Sequence, residues 1–391
     1  MAETGTRVEP SSRIYFADYL RAALVSLVIL HHIAITYGAN GSFYYVEPST
    51  SSASAALLTL FVGLNQAWFL GGFFLISGYF SPGSFDRKGP KKFLKDRLIR
   101  LGIPLLIFFF VLSPLTCFIA FSHTPAAQLI SSGFTTPVAW TWQFYLNTVG
   151  TGPLWFVEML LIFEFGYAIW RYASNDISGQ KEKRRPFPSY QKIALFILIL
   201  AIALYLIRIV LPVGVTLLGF PSPFDLPQYL SLFIVGLIAA RGDWLRKMPS
   251  STAKRVFGVA LIATLTLFVL AVVGTEISSL GWGSLIGQGS LSSAFYSSWE
   301  AIWAVGMTMF AIFFFRRYFN SAGRFWKFFS QHFYTAFIIQ ATIIVSITAV
   351  VLSPIHIASL LKFGLASVII LPLIWGVAFL VRKIPFAERV L

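Results

Sequence analysis

The chain has 391 residues, of which 57% are hydrophobic and only 12% charged, with a mean hydropathy of +0.76. That is too apolar for a soluble domain to hide in one core, so the sequence is that of an all-α polytopic membrane protein. The formal net charge of +15 is scattered between apolar stretches rather than gathered in one basic module, which excludes a nucleic-acid-binding protein. Cys117 is the sole cysteine, so neither an internal disulfide nor a cysteine metal cluster can form.

At about 20 mostly apolar residues per crossing, the pattern predicts ten transmembrane helices near 14–37, 56–80, 101–121, 153–172, 192–212, 227–241, 255–274, 295–315, 328–352 and 359–381. The sixth is short. Asp18 and Arg21 interrupt the first stretch, which argues against a cleaved signal peptide. Every even-numbered connection is basic: Arg87, Lys88, Lys91, Lys92 and Lys95; then Lys181, Lys183, Arg184 and Arg185; then Arg246 and Lys247; then Arg316, Arg317, Arg324 and Lys327. Arg382, Lys383 and Arg389 follow the last helix, whereas the connections at 38–55, 122–152, 213–226, 275–294 and 353–358 hold no Lys or Arg. By the positive-inside rule both termini are expected in the cytoplasm. The chain then divides into a short N-terminal tail (1–12), one transmembrane domain (13–383) and a short C-terminal tail (384–391). Arg208 and Lys362 stand apart from the alternation but lie close enough to helix ends to snorkel. Trp140, Trp142 and Tyr145 before the fourth helix suit an interfacial aromatic belt or a sugar-stacking surface.

Arg21 is the third exception, and it sits inside the first helix. A guanidinium at the centre of a span costs about 2.5–3.5 kcal/mol even on the lenient insertion scale, which makes it a site candidate by default. Eleven residues on, His32 returns to within ~20° of the Arg21 face, ~16 Å further along the axis. Asp18 shares that face and can orient or partly neutralise Arg21. His32 then lies in the outer half of the bilayer, where a neutral imidazole can act as a general base. His31 points ~100° away and either supports the site or packs on a neighbouring helix. Glu158, five residues into the fourth helix from the outer side, shares the depth of His32 and is placed to fix its tautomer; Glu164 lies farther in. Arg97 and Arg100 open the third helix three residues apart, a spacing that lets two guanidiniums grip one multiply charged group. No metal is expected, because the five histidines cannot converge and adjacent His31 and His32 are poorly spaced to chelate.

Arg21-x10-His32, the preceding Tyr15-Phe16-Ala17-Asp18-Tyr19-Leu20, the Phe74-Leu75-Ile76-Ser77-Gly78-Tyr79-Phe80 ending of the second helix and Arg97-x-x-Arg100 resemble the integral-membrane acyltransferase 3 family. His31-His32-x-Ala34-x-x-Tyr37 is most similar to its glucan-modifying, succinyltransferase-like subgroup. The resemblance implies a catalytic His32, with Arg21 its partner on the acyl-CoA path and Arg97 and Arg100 as cytoplasmic-side contacts for the donor phosphates. Glu158 carries over more loosely, because Leu154-Trp155-Phe156-Val157 precede it where another branch has Trp-Ser-Leu.

The expected activity is therefore transfer of an acyl group from cytoplasmic acyl-CoA, a co-substrate with no bound cofactor, to a hydroxyl of an extracytoplasmic carbohydrate or glycan at the plasma or inner membrane. The rival class is a proton-coupled transporter or flippase of a glycan or lipid, since buried Asp, Arg, His and Glu also suit a proton relay. Against it, the sequence shows no inverted repeat and no matched pair of broken hydrophobic segments.

Overall fold

The computed structural model describes residues 14–131, 133, 136–174, 185–212, 215–217, 220–277, 285–287, 289–321 and 323–391. The expected basic residues Lys181, Lys183 and Arg184 lie outside the described residues, as does the side chain of Arg389. Helices α1 (Tyr15–Thr36), α2 (Ser52–Gln66), α3 (Phe69–Arg97), α4 (Ile103–Ile107), α5 (Ser113–Ser122), α6 (Ala126–Ser131), α7 (Trp142–Thr148) and α8 (Trp155–Ala173) form the first half. The second holds α9 (Tyr190–Val210), α10 (Leu226–Gly242), α11 (Trp244–Lys247), α12 (Ser250–Ala263), α13 (Val269–Ile277), α14 (Leu291–Tyr318), α15 (Arg324–Val345), α16 (Ser359–Arg382) and α17 (Ala387–Val390).

Nine helical stretches among the described residues are long and apolar enough to cross a membrane, and one of them, Ser52–Ser122, runs for 71 residues. At ~1.5 Å per residue that stretch is far longer than one bilayer. It turns at Gly89, whose φ of 71° and ψ of 166° leave the helical region just before Pro90, and so holds two of the ten expected crossings. The sixth crossing is not short after all: a 3-10 turn at Pro223–Asp225 extends α10 to a 20-residue stretch.

The connections sort to two ends of the bundle. At one end Lys362 Nζ binds Glu47 Oε2 at 2.6 Å, and the Thr50 amide donates to Ser359 Oγ at 2.9 Å, tying the Lys/Arg-free connection after α1 to the first turn of α16. At the other, Tyr19 Oη donates to the Ser321 carbonyl at 2.9 Å, and Asp86 receives both Arg171 (2.9 Å) and Arg241 (2.6 Å). α17 folds back against the Leu98–Gly102 turn at this basic end.

α3 and α10 meet backbone to backbone. A Cβ on Gly78 would stand 2.2 Å from the Phe233 carbonyl oxygen, and one on Gly236 would stand 2.2 Å from that of Leu75. Small residues of this kind let transmembrane helices approach closely. The second crossing is broken at Ala67–Trp68, between α2 and α3. Backbone freed in an apolar layer needs partners, and it has them: Gln228 Nε2 donates to the Ala67 carbonyl at 3.1 Å and Trp303 Nε1 to that of Leu64 at 2.9 Å.

Candidate functional site

The Ser77-Gly78-Tyr79-Phe80-Ser81 run explains itself once α3 is packed. Gly78 makes the seam with α10, and Tyr79 Oη donates to Asp243 Oδ1 at 2.6 Å, fastening the residue that ends α10 in a left-handed conformation (φ 54°). Phe80 and Ser81 project toward α1 and α8. The Arg21 guanidinium lies 4.5 Å from the Phe80 ring centroid and 3.6 Å from Asp18, so the expected Asp18–Arg21 pairing within one turn is present. An aromatic face holds a desolvated cation at a cost no aliphatic wall could offset.

Ser81 Oγ donates to Glu164 Oε1 at 2.7 Å, and Arg97 Nη2 reaches the same carboxylate at 3.2 Å. Arg21 is within electrostatic reach of both Glu164 and Arg97. Two guanidiniums and two carboxylates thus gather from α1, α3 and α8 as two ion pairs, Asp18 with Arg21 and Glu164, the acid farther in, with Arg97. Arg97 and Arg100 do not share a face. The chain winds as a π-helix over Leu98–Gly102, a wider turn than the α-helical spacing assumes, leaving Arg97 against Glu164 and the Phe93 ring while Arg100 is exposed.

His32 lies four turns along α1 from Asp18. Its Nδ1 is 2.9 Å from Gln340 Oε1 on α15, and its ring stacks on Phe43 with centroids 4.6 Å apart and planes 16° from parallel. An amide oxygen only accepts, so this contact favours the tautomer with the proton on Nδ1 and the lone pair on Nε2. Gln340, rather than Glu158, is the side chain placed against Nδ1. The signal was available: Gln340 is a lone amide in the apolar run Ile338-Ile339-Gln340-Ala341, and intramembrane polar side chains are functional candidates. Phe43, from the 38–51 connection, carried no such signal.

His31 packs against Phe69 at the start of α3, with centroids 5.2 Å apart, and its ring stands edge-on to His32 at 5.6 Å. Among the described residues no hydrogen bond joins Glu158 to His32; Glu158 Oε2 is buried without a partner.

Arg208 and Lys362 do not snorkel. Lys362 is buried on Glu47, and Arg208, 1% exposed, donates to Asp225 Oδ1 (2.9 Å), Glu300 Oε2 (2.5 Å) and Ser297 Oγ (2.8 Å). Tyr229 Oη and Gln66 Nε2 complete the surroundings of Asp225 at 3.1 and 3.4 Å. Desolvating an unpaired guanidinium costs more than snorkelling recovers when two carboxylates are within reach. The carboxylates come from separate connections and helices, which no local pattern connects.

No solved structure matches the chain. Glucans biosynthesis protein C of Escherichia coli (strain K12) is 40% identical over 97 residues, 25% of this chain and 24% of that protein. The same protein of Salmonella schwarzengrund (strain CVM19633) and of Salmonella agona (strain SL483) align with the same identity over the same shares. The aligned part of the chain thus spans about a quarter of the length of these curated relatives. A family model described as an acyltransferase domain matches residues 14–380, from the residue before α1 almost to the end of α16, so the whole helical bundle that gathers Arg21, Arg97, Glu164 and His32 belongs to the integral-membrane acyltransferase 3 family.

Proposed function

We propose that this protein is a membrane O-acyltransferase that moves an acyl group from acyl-CoA, supplied at the basic end, to a carbohydrate hydroxyl presented at the opposite end. One observation carries the reading: His32 Nδ1 stands 2.9 Å from Gln340 Oε1, a contact that favours the proton on Nδ1 and leaves Nε2 to act as a base. Nε2 takes the acceptor hydroxyl proton as that oxygen bonds to the thioester carbonyl carbon. The C–S bond then breaks, and the departing CoA sulfur takes the proton back from the imidazolium. Arg21, with Asp18 beside it, and Arg97 and Arg100 are the cations for the donor phosphates, and the ~16 Å rise from Arg21 to His32 matches an extended thioester arm. His31 supports the imidazole from the side, and Glu158, at an unpartnered depth, is a second candidate for proton handling. The names of the glucan relatives favour a glucan-like acceptor, the positive-inside rule puts the basic end in the cytoplasm, and the plasma or inner membrane is the expected location.

The test uses proteoliposomes of known orientation. Acyl-CoA added at the basic end should acylate an oligosaccharide present only on the other side, with no free acyl-CoA crossing. Product that forms only when both substrates share a side would refute transfer through the bundle.

Arg100 isolates the donor contact, because it is exposed and holds no part of the Glu164 cluster. Arg100→Ala should raise KM for acyl-CoA about tenfold with kcat nearly unchanged, as expected for loss of uniform binding. Arg21→Lys should cost more, since a point charge replaces a planar fork. Donor saturation curves that superimpose on wild type for both variants would remove the phosphate role.

A further inference from the structure

A cavity of about 370 Å³ opens among α9, α10, α11 and α14 near the basic end. α3 stands between it and the Arg21 cluster: Leu75 lines the cavity, whereas Phe80 and Ser81 face Arg21 and Glu164. Its wall is built in place. Trp244 Nε1 donates to the Arg185 carbonyl at 2.9 Å, and the Phe187 ring packs 5.9 Å from that of Trp244, so the Arg185–Pro188 segment is fastened over one side.

The interior is apolar with one exception. Thr308 Oγ1 is buried and has no hydrogen-bond partner, although Thr308 is only 3% exposed and lines the cavity. A buried hydroxyl without a partner carries a desolvation cost that an acceptor would remove. Val305, one turn from Thr308, packs with Ile193, the residue after Lys192. At the mouth, Arg185 and Lys192 are exposed lining residues, and neither side chain is engaged in a hydrogen bond or ion pair among the described residues. Neighbouring Arg316 is already committed to the carbonyls of Leu245, Arg246 and Met248.

Two free cations at the rim, a hydroxyl donor in the wall and an apolar shaft beyond match a phosphate, an ester carbonyl and a hydrocarbon chain. We propose that this cavity is a binding site for a phospholipid with an anionic headgroup, drawn from the leaflet at the basic end. Its phosphate lies on Arg185 and Lys192, an ester carbonyl accepts from Thr308 Oγ1, and one acyl chain runs past Phe196 toward Val235 and Leu232.

The test is native mass spectrometry of the full chain in detergent, titrated with phosphatidylglycerol or with phosphatidylcholine. Wild type should bind one phosphatidylglycerol with about tenfold or greater preference, the scale expected for two basic residues at a headgroup. Arg185→Gln with Lys192→Gln should erase the preference, Val235→Trp should abolish binding by filling the shaft, and Thr308→Val, which keeps the volume, should weaken it about threefold to tenfold. Thermal unfolding checks that each variant is folded, and Thr308→Val serves alone if Val235→Trp is not. Equal affinity for both lipids, or an unchanged preference in the charge variant, overturns the proposal. So does displacement of the lipid by inorganic phosphate together with full phosphate binding in Thr308→Val, which would make the rim a site for a soluble anion.

Discussion

His32→Ala is expected to reduce acyl transfer about a thousandfold or more while the protein still inserts and folds, because it removes the proposed base, and proton transfer of this kind accounts for ~10²–10⁴ in rate. Gln340 acts through His32, so its loss has a different signature. Gln340→Leu leaves Nδ1–H unpaired and lets the ring turn or change tautomer, which should lower kcat about tenfold to a hundredfold at constant KM for both substrates. Gln340→Glu keeps an acceptor oxygen opposite Nδ1 and should retain most of the activity. His31→Ala should be milder than either, since its ring packs on Phe69 and touches His32 only edge-on. Steady-state kinetics on the four variants decide it: a His31→Ala enzyme that is dead beside a working His32→Ala would mean that the other imidazole is the base.

The largest expected effect on stability is at Arg208. Replacing it with Leu leaves Asp225 and Glu300 buried, at 3% and 2% exposure, with no cation between them. Removing one partner of a buried ion pair costs about 3–5 kcal/mol. Thermal unfolding in detergent should show that loss as a fall in Tm, or as failure to recover a monodisperse protein. Arg208→Lys should rescue little, since one ammonium cannot reach Asp225, Glu300 and Ser297 together as the guanidinium does. The triple change Arg208→Met, Asp225→Asn, Glu300→Gln should recover much of the loss by removing the charges as a set. An Arg208→Leu protein that melts with wild type would show that the network contributes nothing to the fold.

The crossings and the two-ended sorting of the connections were legible because hydropathy and Lys/Arg placement are one-dimensional signals. The helical register also anticipated the Asp18–Arg21 pairing, since 3.6-residue periodicity needs no tertiary knowledge. It failed at Arg97 and Arg100, where the chain winds as a π-helix and the period changes. Depth counting ranked Glu158 over Glu164, but depth says nothing about which way a helix is turned, and α8 is turned so that Glu164 meets Ser81 and Arg97. Gln340 and Phe43 reach His32 from 308 residues away and from a connection without periodicity, so only the packed bundle brings them together. Arg208 was misread for the same reason: its carboxylates are 17 and 92 residues away.

The glycine seam between α3 and α10 also decides where the molecule can move. With Gly78 and Gly236 pressed against opposing carbonyls, neither helix can roll or slide past the other without a backbone collision, and Tyr79 on Asp243 closes the end of the pair. Packed interfaces of this kind do not deform gradually. The wall that presents Phe80 and Ser81 is therefore a fixed reference, and any rearrangement that opens the proposed base, His32, falls to the Phe43 side, where the stacked ring is carried by a connection instead of a helix.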